Sequence, residues 1–330
     1  MNNKKNLYRL MLVALLSILV LAGCSGGTGG TAEDASNYPS KPIQLVVPYA
    51  AGGGTDAAAR ALVDAVKPHL TNDIGIMNKT GGGGAVGLAD VSNASPDGYT
   101  LAMVTVELTT LPALGLAPFT PDDFTPIAQV NMDPGAITVR ADAPWETAEE
   151  FIEHAKENPG LRIGNAGSGS IWHLVAATIA QETGTQFSHI PYDGAAPAVI
   201  ALLSGEVDAV TVSPGEVLSQ VESGELKTLA VAAEERVDAM PDVPTMEEAG
   251  IGKIVSGTWR GIAGPKDMPQ EIVEQLETAF TAAANEESFE NFMGNAGLGI
   301  LVRGSSDFQD WIQSNSESWN TIVEELGLRE

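Results

Sequence analysis

Two glycine-rich turns, each placed between a short apolar run and a helical pattern, constrain this chain more than any other feature. Ile43-Gln44-Leu45-Val46-Val47 is a β-rich run ended by Pro48. The turn from Ala50 to Gly54 then leads into a stretch where Ala58, Ala61, Leu62, Ala65 and Val66 recur at three-and-four spacing. Much later, Arg162-Ile163-Gly164 reads as a short strand, Gly167-Ser168-Gly169-Ser170 as a turn and Ile171 to Glu182 as a helix. No sequence repeat relates the two stretches, yet both follow one plan. Strand, turn and helix in that order build parallel, doubly wound sheets. Two such units facing each other leave a cleft at the carboxyl ends of their strands, where open α/β sheets bind ligands.

The remaining elements fit this plan. Ile74 to Met77 is a weak strand, Gly81 to Gly84 a turn, and a helical stretch runs to about Asn93. After the turn Pro96-Asp97-Gly98, Tyr99 to Val106 is a strand. Ile127 to Val139 is extended chain broken near Pro134. Trp145 leads a helix in which Thr147 and Glu150 have capping-box spacing. Strands are expected over Phe187 to Tyr192, Val207 to Val212 and Leu226 to Ala232, with a helix over Ala195 to Leu203. Thr258 to Ala263 reads as a returning strand, and two helices, about Pro269 to Asn285 and Ser306 to Leu326, finish the chain.

The N-terminus sets the compartment. Lys4, Lys5 and Arg9 precede an apolar run from Leu10 to Leu21, which falls short of the roughly 20 residues needed to span a bilayer and reads as a signal peptide. Leu21-Ala22-Gly23-Cys24 resembles the lipobox of bacterial lipoproteins, in which the cysteine takes a diacylglycerol. Cys24 is the only cysteine of the 330 residues and has no intramolecular disulfide partner. Ser25 to Ser36 holds almost nothing apolar and reads as a tether. Seventeen Lys and Arg against 43 Asp and Glu give a net charge of −26. That balance excludes non-specific nucleic-acid binding, which needs basic surface. It fits either a saline habitat or an ordinary soluble acidic surface. It says nothing of the ligand, because long-range repulsion is screened beyond about 8–10 Å.

The turns also suggest a chemistry. Glycine lets the backbone approach a ligand closely. The first N–H groups of a helix lack intrahelical acceptors and sit at the positive end of its dipole. Two such termini on opposing lobes form a clamp for a carboxylate without Lys or Arg. Neither turn ends in the Gly-Lys-Ser/Thr of a P-loop. Gly52-Gly53-Gly54 lacks dinucleotide spacing, and Ser168 is not in a nucleophile elbow. His69, His154, His173 and His189 lack paired metal-ligand spacing. No cofactor, metal or catalytic set is expected.

With these residues in place, the chain resembles the Bug family, the solute receptors of tripartite tricarboxylate transporters. Pro48-Tyr49-x-x-Gly52-Gly53-x-Thr55-Asp56 with Arg60 is similar to the family's first loop, and Asn78, Gly81, Gly83 and Gly87 to its second. Pro96-Asp97-Gly98-Tyr99-Thr100-Leu101, Gly167-x-Gly169-Ser170-x-x-His173-Leu174 and His189-Ile190-Pro191-Tyr192-x-Gly194-x-Ala196-Pro197-Ala198 follow. Pro241-x-x-x-Thr245, Glu248-Ala249-Gly250 and Trp259-x-Gly261 complete the series. The resemblance implies a two-lobed Venus-flytrap of the periplasmic-binding-protein type II, each lobe an α/β, mostly parallel sheet flanked by helices. Lobe 1 is expected over 38–135 and 254–330 and lobe 2 over 136–253, after a signal peptide (1–23) and tether (24–37). It also implies a carboxylate held largely by backbone amides and ordered water.

The ligand-binding candidates are Tyr49, Ala51, Gly53, Thr55, Asp56, Thr105, Glu107, Ser168, Gly169, Ser170, His173, Asp193 and Arg260. Thr55 and Asp56 fit a helix cap equally well, and His173 fits a loop-fixing hydrogen bond. Trp172 reads as pocket wall or as core. Lys79-Thr80 and Arg260 depart from the family's usual residues. Glu107, placed at a strand end, and Arg260 together suggest a ligand bearing an amino group and an extra carboxylate. The alternative for this pair is a surface glutamate and a structural arginine. The expected function is extracytoplasmic capture of a small organic carboxylate by a lipid-anchored monomer, for integral membrane transporter subunits. A ligand sensor and a secreted α/β hydrolase are the alternatives.

Overall fold

The computed structural model describes residues 37–326, with side chains to 324. The expected signal peptide, lipobox cysteine Cys24 and Ser25–Ser36 tether lie outside the described residues.

The chain builds two five-stranded sheets of matching design. The first contains β1 (Ile43–Val47), β2 (Ile74–Asn78), β3 (Thr100–Thr105), β4 (Phe124–Pro134) and β10 (Gly257–Pro265), in the order β2-β1-β3-β10-β4. The second contains β5 (Ala136–Arg140), β6 (Leu161–Asn165), β7 (Phe187–Pro191), β8 (Ala209–Val210) and β9 (Leu226–Val231), in the order β7-β6-β8-β5-β9. In each, three strands pair in parallel. One antiparallel strand, β10 or β5, is inserted before the last. Each sheet therefore has four strands running one way and a single strand that came from the other lobe's side of the chain.

The helices are α1 (Gly54–Val66), α2 (Ala85–Ser92), α3 (Glu107–Leu114), α4 (Ala148–Glu157), α5 (Ile171–Thr183) and α6 (Ala195–Ser204), then α7 (Leu218–Glu222), α8 (Gln270–Ala284), α9 (Glu287–Asn295) and α10 (Ser305–Leu326). The helical periodicity after the first glycine turn is borne out at Ala58, Leu62, Ala65 and Val66 of α1, which are buried, while Ala61 is only half-buried. Leu45, Val46 and Val47 of β1 are fully buried, as expected for a strand with both faces covered. Burying each such side chain contributes about 1.5–3 kcal/mol.

Four sequence expectations need correction. Glu107 does not end a strand; β3 stops at Thr105 and Glu107 opens α3. Three helices, not two, finish the chain, because α9 intervenes. Thr55 does not cap α1: the cap is Gly53, with no side-chain hydrogen bond, and Thr55 lies inside the helix. The box at Thr147 is half made. Thr147 accepts from Glu150 N (3.2 Å), while the Glu150 carboxylate accepts from Glu146 N (2.6 Å), one residue earlier.

Two connections cross between the sheets, β4 to β5 and β9 to β10, and they meet in a closed ring of backbone hydrogen bonds. Gly135 N donates to Ser256 O (2.9 Å), Ser256 N to Ala232 O (3.0 Å) and Ala232 N to Gly135 O (2.7 Å). A Cβ on Gly135 would lie 3.0 Å from Val175 and 3.5 Å from Trp172 of α5. The crossing thus packs directly behind the helix that carries the second glycine turn.

Candidate functional site

Each glycine turn meets a different segment of the other lobe: the turn at 50–54 lies against residues 193–196, and the turn at 167–170 lies against Gly83 and Leu111. Ala50 N donates to the Asp193 carbonyl (2.9 Å). Gly83 (φ +64°) and Gly167 (φ +125°), from opposite lobes, touch backbone to backbone: a Cβ on Gly167 would stand 2.8 Å from Gly83 Cα. A Cβ on Gly83 would stand 2.8 Å from the Ser168 carbonyl oxygen.

Each helix N-terminus beneath these turns already binds a carboxylate, supplied in each case by the other lobe. Ile171 N, the first amide of α5, donates to Glu107 Oε1 (2.7 Å). Gly54 N, the first amide of α1, donates to Glu216 Oε1 (3.1 Å). The exchange is reciprocal, and both glutamates are almost wholly buried. Anions are stabilised at such termini by unpaired N–H groups and the helix dipole. Glu107 Oε2 also accepts from Thr105 Oγ1. Glu216 Oε2 accepts from Ser213 N (3.0 Å).

Between the termini lies a cavity of about 20 Å³, lined by Tyr49, Thr55, Glu107, Trp172, Glu216 and Arg260 among others. Arg260 is 1 % exposed. Its Nε donates to Thr55 Oγ1 (3.0 Å), its Nη1 to Asn131 and Asp133, and its Nη2 lies 3.6 Å from Glu216. Desolvation pushes the Glu216 carboxyl above its ordinary value, against the pull of Arg260. The Tyr49 hydroxyl donates to Gly83 O (3.2 Å) and lies 3.3 Å from Thr105 Oγ1. Burial, then the Glu107 charge, hold its pKa well above the ordinary tyrosine value.

Of the residues singled out in the sequence, Tyr49, Gly53, Thr55, Glu107 and Arg260 converge on this cavity. Thr105 stands behind Glu107. Ser170 caps α5, its hydroxyl accepting from His173 N (3.3 Å). Asp56 accepts from Gly52 N (2.9 Å), Arg60 and Asn78, and so ties its loop together. Ala51, Ser168 and Asp193 are exposed, and Asp193 contributes its carbonyl to the cross-lobe bond. Trp172 is both core and wall, buried at 4 % and lining the cavity. Arg260 is committed to Asp133 and its neighbours rather than presented to a second ligand carboxylate.

Glu216, Asp133 and Asn131 were not anticipated. Ser213-Pro214-Gly215-Glu216 has the capping-box spacing that could have marked Glu216.

His173 fixes its loop: Nδ1 accepts from Gly169 N (3.1 Å), which requires an unprotonated nitrogen. Burial lowers the His173 pKa, and burial together with His173 takes His189 from 6.5 to about 4. The unfolded chain binds protons here that the folded chain resists. Stability is therefore complete above about pH 6.5 and falls as pH drops towards 4. Urea midpoints at about pH 7.5 and about pH 5 should differ, and His189→Gln should narrow the gap. An unchanged gap would assign the pH dependence to other groups.

Two α/β lobes joined by crossing strands, with opposed helix N-termini binding carboxylate oxygens over a shared cavity, define a two-lobed solute-binding fold. The chain belongs to the tripartite tricarboxylate transporter receptor family, whose sequence profile matches residues 58–328. A UPF0065 protein encoded in the gbd 5' region of Cupriavidus necator is 34% identical over 296 residues, covering 89% of this chain and 90% of that one. The periplasmic binding protein BugD is 32% identical and superposes with a TM-score of 0.85 over 88% of this chain and 99% of its own. MatC of Rhodopseudomonas palustris, solved with bound malate, is 28% identical with a TM-score of 0.82 over 87% of this chain and 100% of its own. The family is one of solute receptors rather than enzymes. Among the described residues no helix is long and apolar enough to cross a membrane.

Proposed function

We propose that this protein is an extracytoplasmic receptor that closes its two lobes on a small organic carboxylate and presents it to the integral membrane subunits of a tripartite tricarboxylate-type transporter. It acts as a monomer tethered through lipid on Cys24, and it binds without catalysing a reaction. Lobe 1 comprises 38–135 and 254–330, and lobe 2 comprises 136–253. Candidate ligand contacts are Tyr49, Gly53 and Thr55 from one lobe and the α5 terminus at Ser170 from the other.

The observation that carries this reading is the pair of carboxylate–amide bonds at Gly54 and Ile171. Both helix ends complement a carboxylate, because both accept one from the chain itself. The amides of Thr55 and Trp172, second in their helices, also lack intrahelical acceptors. Malate in MatC shows that a similar chain takes a dicarboxylic acid.

A thermal-shift screen of organic acids tests the proposal. At a ligand concentration about 100-fold above Kd, binding to the folded state adds about 2.7 kcal/mol. An acid that raises the melting temperature and also compacts the protein in solution scattering is the expected result. Responses confined to sugars or metal cations would overturn it.

A further inference from the structure

The charge in the cleft is unbalanced. Asp133 and Glu216 face the single guanidinium of Arg260, Glu107 lines the same cavity as Arg260, and all four side chains are buried. Asp133 pairs with Arg260 directly, and Glu216 stands at its far edge, 3.6 Å from Nη2. Glu107 is 2 % exposed and lines the cavity, yet no Lys, Arg or His lies within ion-pairing distance of it among the described residues. Its hydrogen bonds come from one backbone amide and one hydroxyl. A buried carboxylate without a counter-cation is costly. It also repels a second carboxylate brought to the same helix end.

A bare dicarboxylate would have to enter a site whose two first amides are held by glutamates and whose arginine is neutralised. A ligand with a cationic group meets the opposite situation, since its charge fills the deficit at Glu107 and Glu216 while its carboxylate uses the remaining amides. Resting on the carboxylate-receptor reading, we propose that Glu107, supported by Glu216, is a specificity-determining residue that selects a ligand carrying a primary ammonium group as well as a carboxylate. An ammonium donates up to three hydrogen bonds and accepts none, which suits acceptor-only side chains. Charge-assisted bonds of this kind are the stronger class. Malate, bound by the similar MatC, has no such group, so this chain's preference is expected to diverge from that relative.

Matched pairs test the inference by calorimetry on the full mature chain: succinate against aspartate, glutarate against glutamate, and butyrate against 4-aminobutyrate, with putrescine as a cation lacking a carboxylate. The amino-bearing member of at least one pair should bind about tenfold or more tightly than its partner. Glu107→Gln should reduce that ratio below about threefold while improving affinity for the bare acid, and Glu216→Gln should lower the ratio less. A purely structural role for Glu107 would weaken both members together and leave the ratio unchanged. Wild-type protein that binds bare acids as tightly as their amino counterparts overturns the inference and leaves the carboxylate reading standing. Binding of putrescine with no binding of any acid overturns both the carboxylate reading and the inference. Folded protein that binds nothing in the panel overturns both.

Discussion

Replacing Arg260 with methionine is expected to lower the unfolding free energy by about 3–5 kcal/mol, the cost of breaking a buried ion pair by removing one partner. The guanidinium bridges three segments: Thr55 in α1, Asn131 and Asp133 in β4, and Glu216 beyond β8. Methionine preserves much of the volume, so the loss comes mainly from leaving Asp133 and Glu216 without a cation in a desolvated place. Adding Asp133→Asn to the variant should recover part of the loss, because it removes one stranded charge. Equilibrium denaturation of the single and double variants measures the coupling. A loss below about 1 kcal/mol for Arg260→Met would mean that the network is relaxed or hydrated in solution.

The second large effect concerns the contact between the lobes. Gly83→Asn should weaken ligand binding by roughly 5- to 150-fold, the consequence of about 1–3 kcal/mol of overpacking in the closed arrangement. Asparagine tolerates the left-handed conformation that Gly83 adopts at φ +64°, so the first lobe keeps its local fold. The new side chain projects towards the Ser168 carbonyl, which an added Cβ would approach to 2.8 Å. Calorimetry with the best acid from the screen gives the affinity, and a denaturation midpoint close to that of the parent confirms that folding is preserved. Undiminished affinity would show that the ligand-bound lobes do not meet at Gly83 and Gly167.

The periodic elements were legible in the sequence. The apolar stripe of α1 and the β-rich run of β1 obey simple spacing rules, and the same plan in both halves pointed to paired α/β lobes. What escaped did so for physical reasons. Helix α3 is buried nearly all round, so it has no polar face to create a 3.6-residue period. Its Thr109, Thr110 and Pro112 also read as extended or broken chain. Helix α9 buries only Phe289 and Met293, too narrow a stripe to stand out. The role of Glu216 depends on a partner 162 residues away, and no local pattern encodes that bond. Arg260 and Glu107 were visible as unusual residues, but their partners were not. The sequence suggested that they act together on one ligand, whereas the fold gives Arg260 to Asp133 and leaves Glu107 without a cation.

The hydrogen-bonded ring at Gly135, Ala232 and Ser256 carries a mechanical consequence. The two crossing connections, pinned to one another at a single level, cannot slide past each other without breaking that ring. Their softest common deformation is rotation about an axis through the knot. Because Gly135 packs against Trp172 and Val175, the pivot is set directly behind one jaw, so a small angular change there becomes a larger displacement at the tips of the glycine turns. The molecule is geared as a nutcracker rather than as a pair of sliding plates.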